Sequence, residues 1–268
     1  MNAAMLALEG VTKTFMAGTP NAVRALDALD LTLAAGDFVT VIGSNGAGKS
    51  TMLRTIAGLV EPEQGTVRLD GADITHEKVH RRAAAIGRIA QDPHESTCAV
   101  MSIAENLAMA ARRGQRRGLS RAVTAELRER FGAALATIGL GLEARLDARV
   151  GTLSGGQRQA LALLMATLAR PKLLLLDEHL ASLDPKTAEA VMQLTDRLVR
   201  EGSLTTLMVT HNMHEAIRWG NRLVMMHAGR VVLDVAGADK AGLTVPGLVE
   251  RFHAVSHETL SDDRVLLA

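Results

Sequence analysis

The sequence predicts an α/β fold: a mostly parallel sheet with helices on both faces, an antiparallel β subdomain and an inserted helical subdomain. Short β-rich runs alternate with helical stretches, which is the pattern of α/β architecture. Phe38–Ile42, Leu173–Leu176 and Leu204–Val209 are apolar almost without interruption, and such strands belong inside a sheet covered on both faces. From about Ile103 to Ala148 the periodicity is helical with no convincing strand.

Along the chain, the opening third reads as antiparallel strands over Leu6–Phe15, Ala28–Leu33 and Thr66–Leu69, joined by turns such as Ala35-Gly36-Asp37. Phe38–Ile42 (FVTVI) is a buried strand that enters a Gly-rich turn and then a helix over Lys49–Leu59. Ile86–Ala90 is a further strand. Inside the helical stretch, Arg112–Arg117 (RRGQRR) is a basic, Gly-containing break that reads as a solvated helix–helix loop rather than a lipid or nucleic-acid contact. Ala160–Ala169 is an apolar helix. These elements predict a core over 1–90 and 170–240 that includes the antiparallel subdomain, a helical subdomain over 91–169 and a C-terminal tail over 241–268.

Composition removes several classes of function. The 268 residues suffice for one large domain, or a core with an insertion. A net charge of +1 from 30 basic and 29 acidic residues supplies no broad footprint for nucleic acid. Aromatics make up 2% with no Tyr, so a base-stacking platform is not expected. The single cysteine, Cys98, allows no internal disulfide and suits a reducing compartment. No uncharged apolar run reaches the roughly 18 residues that span a bilayer. The opening MNAAMLALEG lacks the basic start of a signal peptide. A cytosolic protein is expected, with any membrane role supplied by a partner.

The chemistry-bearing motifs begin at Gly43-Ser44-Asn45-Gly46-Ala47-Gly48-Lys49-Ser50, which matches G-x-x-x-x-G-K-[ST] between a strand and a helix. The glycines let successive N–H groups point at a β-phosphate, and the helix from Lys49 adds its positive end. Lys49 reaches the β/γ-phosphates and the Ser50 hydroxyl ligates Mg²⁺; Thr51, next along the helix, is counted with the phosphate-binding residues. This predicts a P-loop NTPase core that binds ATP with Mg²⁺. Leu173–Leu176 ends in Asp177-Glu178, which puts carboxylates at the carboxyl edge of the sheet where ligands of open α/β sheets sit. Asp177 suits Mg²⁺ through water, and Glu178 suits a general base toward an attacking water.

Leu153-Ser154-Gly155-Gly156-Gln157 opens the helix that continues through Ala160–Ala169. Ser154 is a good N-cap, and the glycines leave N–H groups free to approach an anion. A capped helix start accounts for the Ser but not for Gly-Gly followed by Gln. LSGGQ resembles the signature of ABC ATPases, and the order P-loop, LSGGQ, LLLLDE is theirs. The resemblance covers about Leu6 to Leu233.

The resemblance implies further roles. Gln91 is similar to the Q-loop glutamine that senses Mg²⁺ and the attacking water, and Ser182-Leu183-Asp184 resembles the D-loop at the dimer interface. His211 resembles the switch histidine on the γ-phosphate, and Phe15 stands where the family places an adenine-stacking aromatic, usually Tyr. His179 departs from the Pro that often follows the catalytic glutamate and reads as a variant of the turn rather than a second base. Ser154, Gly155, Gly156 and Gln157 are expected to cover the nucleotide of an opposing subunit, so the chain is expected to work as a homodimer. DEHLASLDPKTAE, LTTLMVTHNM and GNRLVMMHAGRVVLD resemble a bacterial importer subgroup that works with branched-chain-amino-acid-like permeases and a substrate-binding lipoprotein. The implied place is the cytoplasmic face of the plasma membrane, beside integral-membrane permease subunits, with no nucleic-acid partner. The segment from Ile86 to about Asn106, with Ala99 and Val100, is expected to form the permease's docking groove. The rivals are a DNA-maintenance ATPase, which would place a long coiled coil between Lys49 and Ser154, a translation ABC protein, which would carry two cassettes, and an exporter ATPase.

Overall fold

The computed structural model describes residues 4–115, 118, 122–252 and 254. Arg116 and Arg117 of the basic break, and most of the expected tail beyond residue 252, lie outside the described residues. The chain forms two compact units, one of Met1–His76 with Leu207–Ala268 and one of Glu77–Thr206.

The first unit opens with β1 (Ala4–Phe15), β2 (Val23–Ala34), β3 (Phe38–Gly43), α1 (Lys49–Ile56), β4 (Gln64–Leu69) and β5 (Ala72–Asp73). Strands β2, β1, β4 and β5 form a four-stranded sheet in that order, with the antiparallel pairing expected of the opening third. Leu29, Leu31 and Leu33 are buried while Asp30 and Thr32 between them are exposed, the period of two of a half-covered strand. The turn at Ala35-Gly36-Asp37 does not join two strands of this antiparallel sheet. It leads β2 into β3, which pairs in parallel with a later strand; Asp37 Oδ2 accepts from the Ala34 N–H at 2.8 Å and fixes the exit. Helix α1 stops at Ile56, short of the expected Leu59. Gly58 takes a φ of 79°, and the N–H groups of Gly58 and Leu59 return to Thr55 O and Arg54 O. That is a Schellman ending, which satisfies the last carbonyls and cannot be extended.

The second unit contains α2 (Val79–Arg82), β6 (Ile86–Ile89), α3 (Pro93–Ser96), α4 (Ile103–Ala111), α5 (Ala125–Ala136), α6 (Gly155–Thr167), β7 (Leu173–Asp177) and α7 (Pro185–Gly202). Strands β6 and β7 are parallel, in register from Ile86↔Leu173 to Ile89↔Leu176. Helices α4, α5 and α6 bury Ile103, Leu107, Phe131, Leu135, Leu161 and Leu164 in one cluster. Truncating any of these leucines to Ala should cost about 2–5 kcal/mol. Ser102 and Glu105 form a capping box that starts α4. Buried Asn106 then ties down the preceding loop, accepting from Cys98 N–H at 2.8 Å and donating to Cys98 O and Ser102 O. Residues 91–169 fall in this unit together with residues 77–90 and 170–206.

The chain returns through β8 (Thr205–Val209) to α8 (Met213–Arg218), β9 (Arg222–His227), β10 (Arg230–Ala236), α9 (Gly237–Ala241) and a helical stretch over residues 245–252. β3 runs parallel to β9, and β9 antiparallel to β10. Thr40, fully buried in β3, donates to Ala216 O at 2.8 Å, so the one polar side chain of that strand is satisfied. Leu248 seals Ile42 and Met225 from below. No helix among the described residues is long and apolar enough to cross a membrane.

Candidate functional site

In the first unit the site is built mainly from backbone. β3 delivers the chain to Gly43, where an added Cβ would stand 2.2 Å from Met226 O of β9. At Gly48 an added Cβ would stand 2.2 Å from Ala25 O of β2. Gly46, with φ 83°, faces open space and needs glycine for its left-handed backbone alone. Gly48 is the N-cap of α1 and gives its first turn no side-chain acceptor, so that turn's N–H groups suit an external anion. Lys49 is buried, and its Nζ donates to Gly43 O at 2.8 Å and Ser44 O at 2.9 Å, which curls the ammonium over the loop. Asn45 and Ser50 are exposed, Thr51 is half-buried, and Ala47 is buried with its carbonyl taken by Gly229 N–H. This cradle fits a polyphosphate.

His211 belongs to the same unit. Thr210 N–H donates to Val41 O of β3 at 3.1 Å, so the turn carrying His211 lies beside the strand that feeds the phosphate loop. Asn212 caps α8 by accepting from His214 and Glu215 N–H groups, and the Thr210 hydroxyl donates to Glu215 Oε2 at 2.8 Å. His211 is therefore exposed on a turn locked from both sides. Sequence reasoning did not single out Thr210 or Asn212, although an Asn directly before a helix is a readable cap. Phe15 ends β1 opposite Val23, is 39% exposed, and lies 5.8 Å from Lys13 Nζ. It is a solvent-facing aromatic rather than a core side chain.

In the second unit the candidate residues act through side chains. Asp177 closes β7 and is buried. Glu178 follows with φ 44°, a left-handed backbone that costs a non-glycine residue on the order of 1–3 kcal/mol. Gln91 Nε2 donates to Glu178 Oε2 at 3.2 Å. His179 is buried, and burial pushes its imidazole down to about 4. The Thr195 hydroxyl gives its proton to Val191 O at 2.8 Å, so His179 Nε2–H donates to Thr195 Oγ1 at 3.4 Å and the ring is neutral. The ring packs in the interior on the turn that follows Glu178.

Ser154 caps α6, accepting from Gln157 N–H at 3.3 Å, while Gln157 Oε1 accepts from Ser154 N–H at 3.2 Å. The capped-helix reading therefore accounts for Gln157 after all, as the far half of a capping box. Gly156 also has a local reason, because a Cβ there would stand 2.2 Å from Thr187 Cγ2 on α7. Gly155 lies against Leu183. Ser154–Gly156 and Leu183-Asp184 are thus neighbours, a contact that no local signal in the sequence announced. Asp184 caps α7, and Thr187 holds its carboxyl below the usual carboxylate range.

The profile of the ABC transporter family matches residues 26–181, more than half of the chain. The chain belongs to the ABC transporter family. This ABC ATPase is 44% identical, over 92% of its length and 98% of the relative's, to a tyrosine transport ATP-binding protein of Clostridioides difficile. It is 36% identical to a spermidine/putrescine import ATP-binding protein of Thermobifida fusca, covering 84% of this chain but only 56% of that protein. A solved dimeric post-hydrolysis structure of an ATP-binding cassette with ADP and Pi matches with a TM-score of 0.75 and 30% identity, over 87% of this chain and 98% of that one. The α/β P-loop architecture and the ATP-binding, ATP-hydrolysing character of the subunit follow from this membership.

Proposed function

We propose that this ABC ATPase works as a homodimer at the cytoplasmic face of the plasma membrane, driving import of a small solute of the amino-acid class. Separate integral-membrane permease subunits form the path, and a substrate-binding protein delivers the solute. The amino-acid reading is carried by the likeness to a tyrosine transport ATP-binding protein over 98% of that protein's length, and the import direction by the likeness to spermidine/putrescine and sulfate/thiosulfate import ATP-binding proteins.

In this reading Gly43–Thr51 holds the phosphates of ATP and Phe15 supports the adenine. Ser50, Asp177 and Gln91 would supply the oxygen donors for Mg²⁺, and the ion would offset charge on the phosphate oxygens. Glu178 takes the proton of the attacking water, and Gln91 and His211 orient that water and the γ-phosphate. Lys49 and the first-turn N–H groups of α1 stabilise the charge that gathers as the bond breaks. Ser154–Gln157 of one subunit covers the nucleotide of the other, with Asp184 at the same interface.

The permease docks on the second unit. A cleft of about 1080 Å³ there is lined by Ala83, Ala84, Ser96, Met109 and Met165, among others. Ser96 belongs to the segment from Ile86 to about Asn106 expected to form the groove, and Val100 of that segment is an apolar side chain 77% exposed. Co-purification from membranes, followed by uptake of labelled amino acids into vesicles, tests the proposal. Retained permease and ATP-dependent inward accumulation are expected, and Met109→Glu and Val100→Glu should each abolish uptake. Outward transport, or uptake indifferent to Met109→Glu, would contradict it.

A further inference from the structure

The loop that carries Gln91 touches a second element, helix α6. Arg158 Nη1 lies 2.8 Å from Nε2 and 3.1 Å from Nδ1 of His94, and its Nη2 reaches Gly151 O only at 3.4 Å. The buried Nε of Arg158 has no hydrogen-bond partner among the described residues. The imidazole is therefore the main group orienting this guanidinium. His94 sits in α3, a single turn started by Asp92, whose Oδ1 accepts from His94 N–H at 2.8 Å. The same turn is held by Ser96 Oγ on Ala90 N–H and by Glu95 facing Arg88 at 3.7 Å. Residues 91–96 thus form one short braced segment. Its Gln91 end holds Glu178, and its His94 end holds α6.

Arg158 stands one helical turn beyond Ser154, and its N–H donates to Ser154 O at 2.9 Å. Residues four apart on a helix share a face. A continuous line of contacts therefore runs from Glu178 through Gln91 and His94 to Arg158 and the Ser154 turn, all inside the second unit.

We propose that His94 and Arg158 are positioning residues that transmit the state of Gln91 and Glu178 to the Ser154–Gly156 segment. Resting on the dimer reading above, this makes the pair a link between the two ATP sites: the base of one site sets how that subunit presents its glycines to the partner's nucleotide. A braced turn tied at both ends moves as a unit, so displacement of Gln91 is carried to α6 rather than absorbed. A static brace would be felt in stability instead of turnover.

The test is a double-mutant cycle on the full chain, comparing His94→Leu, Arg158→Leu and the double variant at saturating MgATP. Each single variant should lower kcat about tenfold, the scale of one charge-assisted hydrogen bond. ATP affinity and the thermal midpoint should stay near those of the unaltered chain, because His94 is exposed and distant in sequence from the phosphate loop. The double variant should be no slower than either single one. His94→Gln, whose amide oxygen still accepts from a guanidinium, should recover most of the turnover. Unchanged kcat, losses that multiply, or losses that track the melting temperature would overturn the link. Turnover surviving in Glu178→Gln would instead remove the parent reading, and the link with it.

Discussion

The phosphate loop and the acidic end of β7 meet the same demand, fixing groups in one geometry, by opposite means. In the first unit the geometry comes from what is missing: side chains at Gly43 and Gly48 would strike Met226 O and Ala25 O, so the backbone runs where no other residue fits. In the second unit it comes from what is added. Glu178 is held in a left-handed backbone between buried Asp177 and buried His179, and Gln91 reaches it from another strand–loop connection. A loop defined by backbone is robust to its surroundings. A carboxylate defined by side chains moves when its neighbours move, which suits a base that must respond to the state of a machine.

That contrast predicts different responses to substitution. Lys49→Ala should weaken ATP binding on the order of ten- to a hundredfold, because one charge-assisted contact to phosphate is worth roughly 1.5–3 kcal/mol. Calorimetric titration checks this, and unchanged affinity would contradict the assignment of Lys49 to the phosphates. A smaller effect belongs to His179. Its folded pKa of about 4 lies below the ordinary value of 6.5, so the unfolded chain binds a proton that the folded chain excludes. Its contribution is fully present above pH 6.5 and is lost as pH falls toward 4, by about 2 kcal/mol near pH 5. Urea unfolding across that range should show the loss, and His179→Leu should flatten it. If the two proteins lose stability in parallel, His179 is not the buried neutral group described. Smallest is Ser154→Ala, which removes a cap worth about 1 kcal/mol. A fall in the unfolding midpoint of the lone chain is expected, together with a larger loss of turnover if the same hydroxyl serves the partner's nucleotide. An unchanged midpoint would deny the cap.

Sequence legibility follows the same division. Gly43–Ser50 was readable because local residue types dictate its backbone, and β3 and β7 were readable because both faces are apolar. The ends of elements were harder: Gly58 stops α1 before Leu59 through a tertiary-independent but easily overlooked Schellman ending, and Ala35-Gly36-Asp37 changes sheets rather than closing a hairpin. The contacts of Gln91 with Glu178, His94 with Arg158 and Gly156 with Thr187 join segments far apart in the chain, and no local periodicity encodes them. The family resemblance named the roles of several of these residues. It did not reveal that Gln157 and Gly156 also answer to capping and packing inside one subunit.

The claim on which the account depends most is that Glu178 acts as the base rather than as a ligand of the phosphates. Glu178→Gln, measured for steady-state hydrolysis, nucleotide affinity and dimer content with MgATP, tests it in one preparation. Turnover should fall by at least about a hundredfold, with affinity retained and an ATP-bound dimer accumulating. Near-normal turnover, or a loss of ATP binding comparable to that of Lys49→Ala, would contradict it.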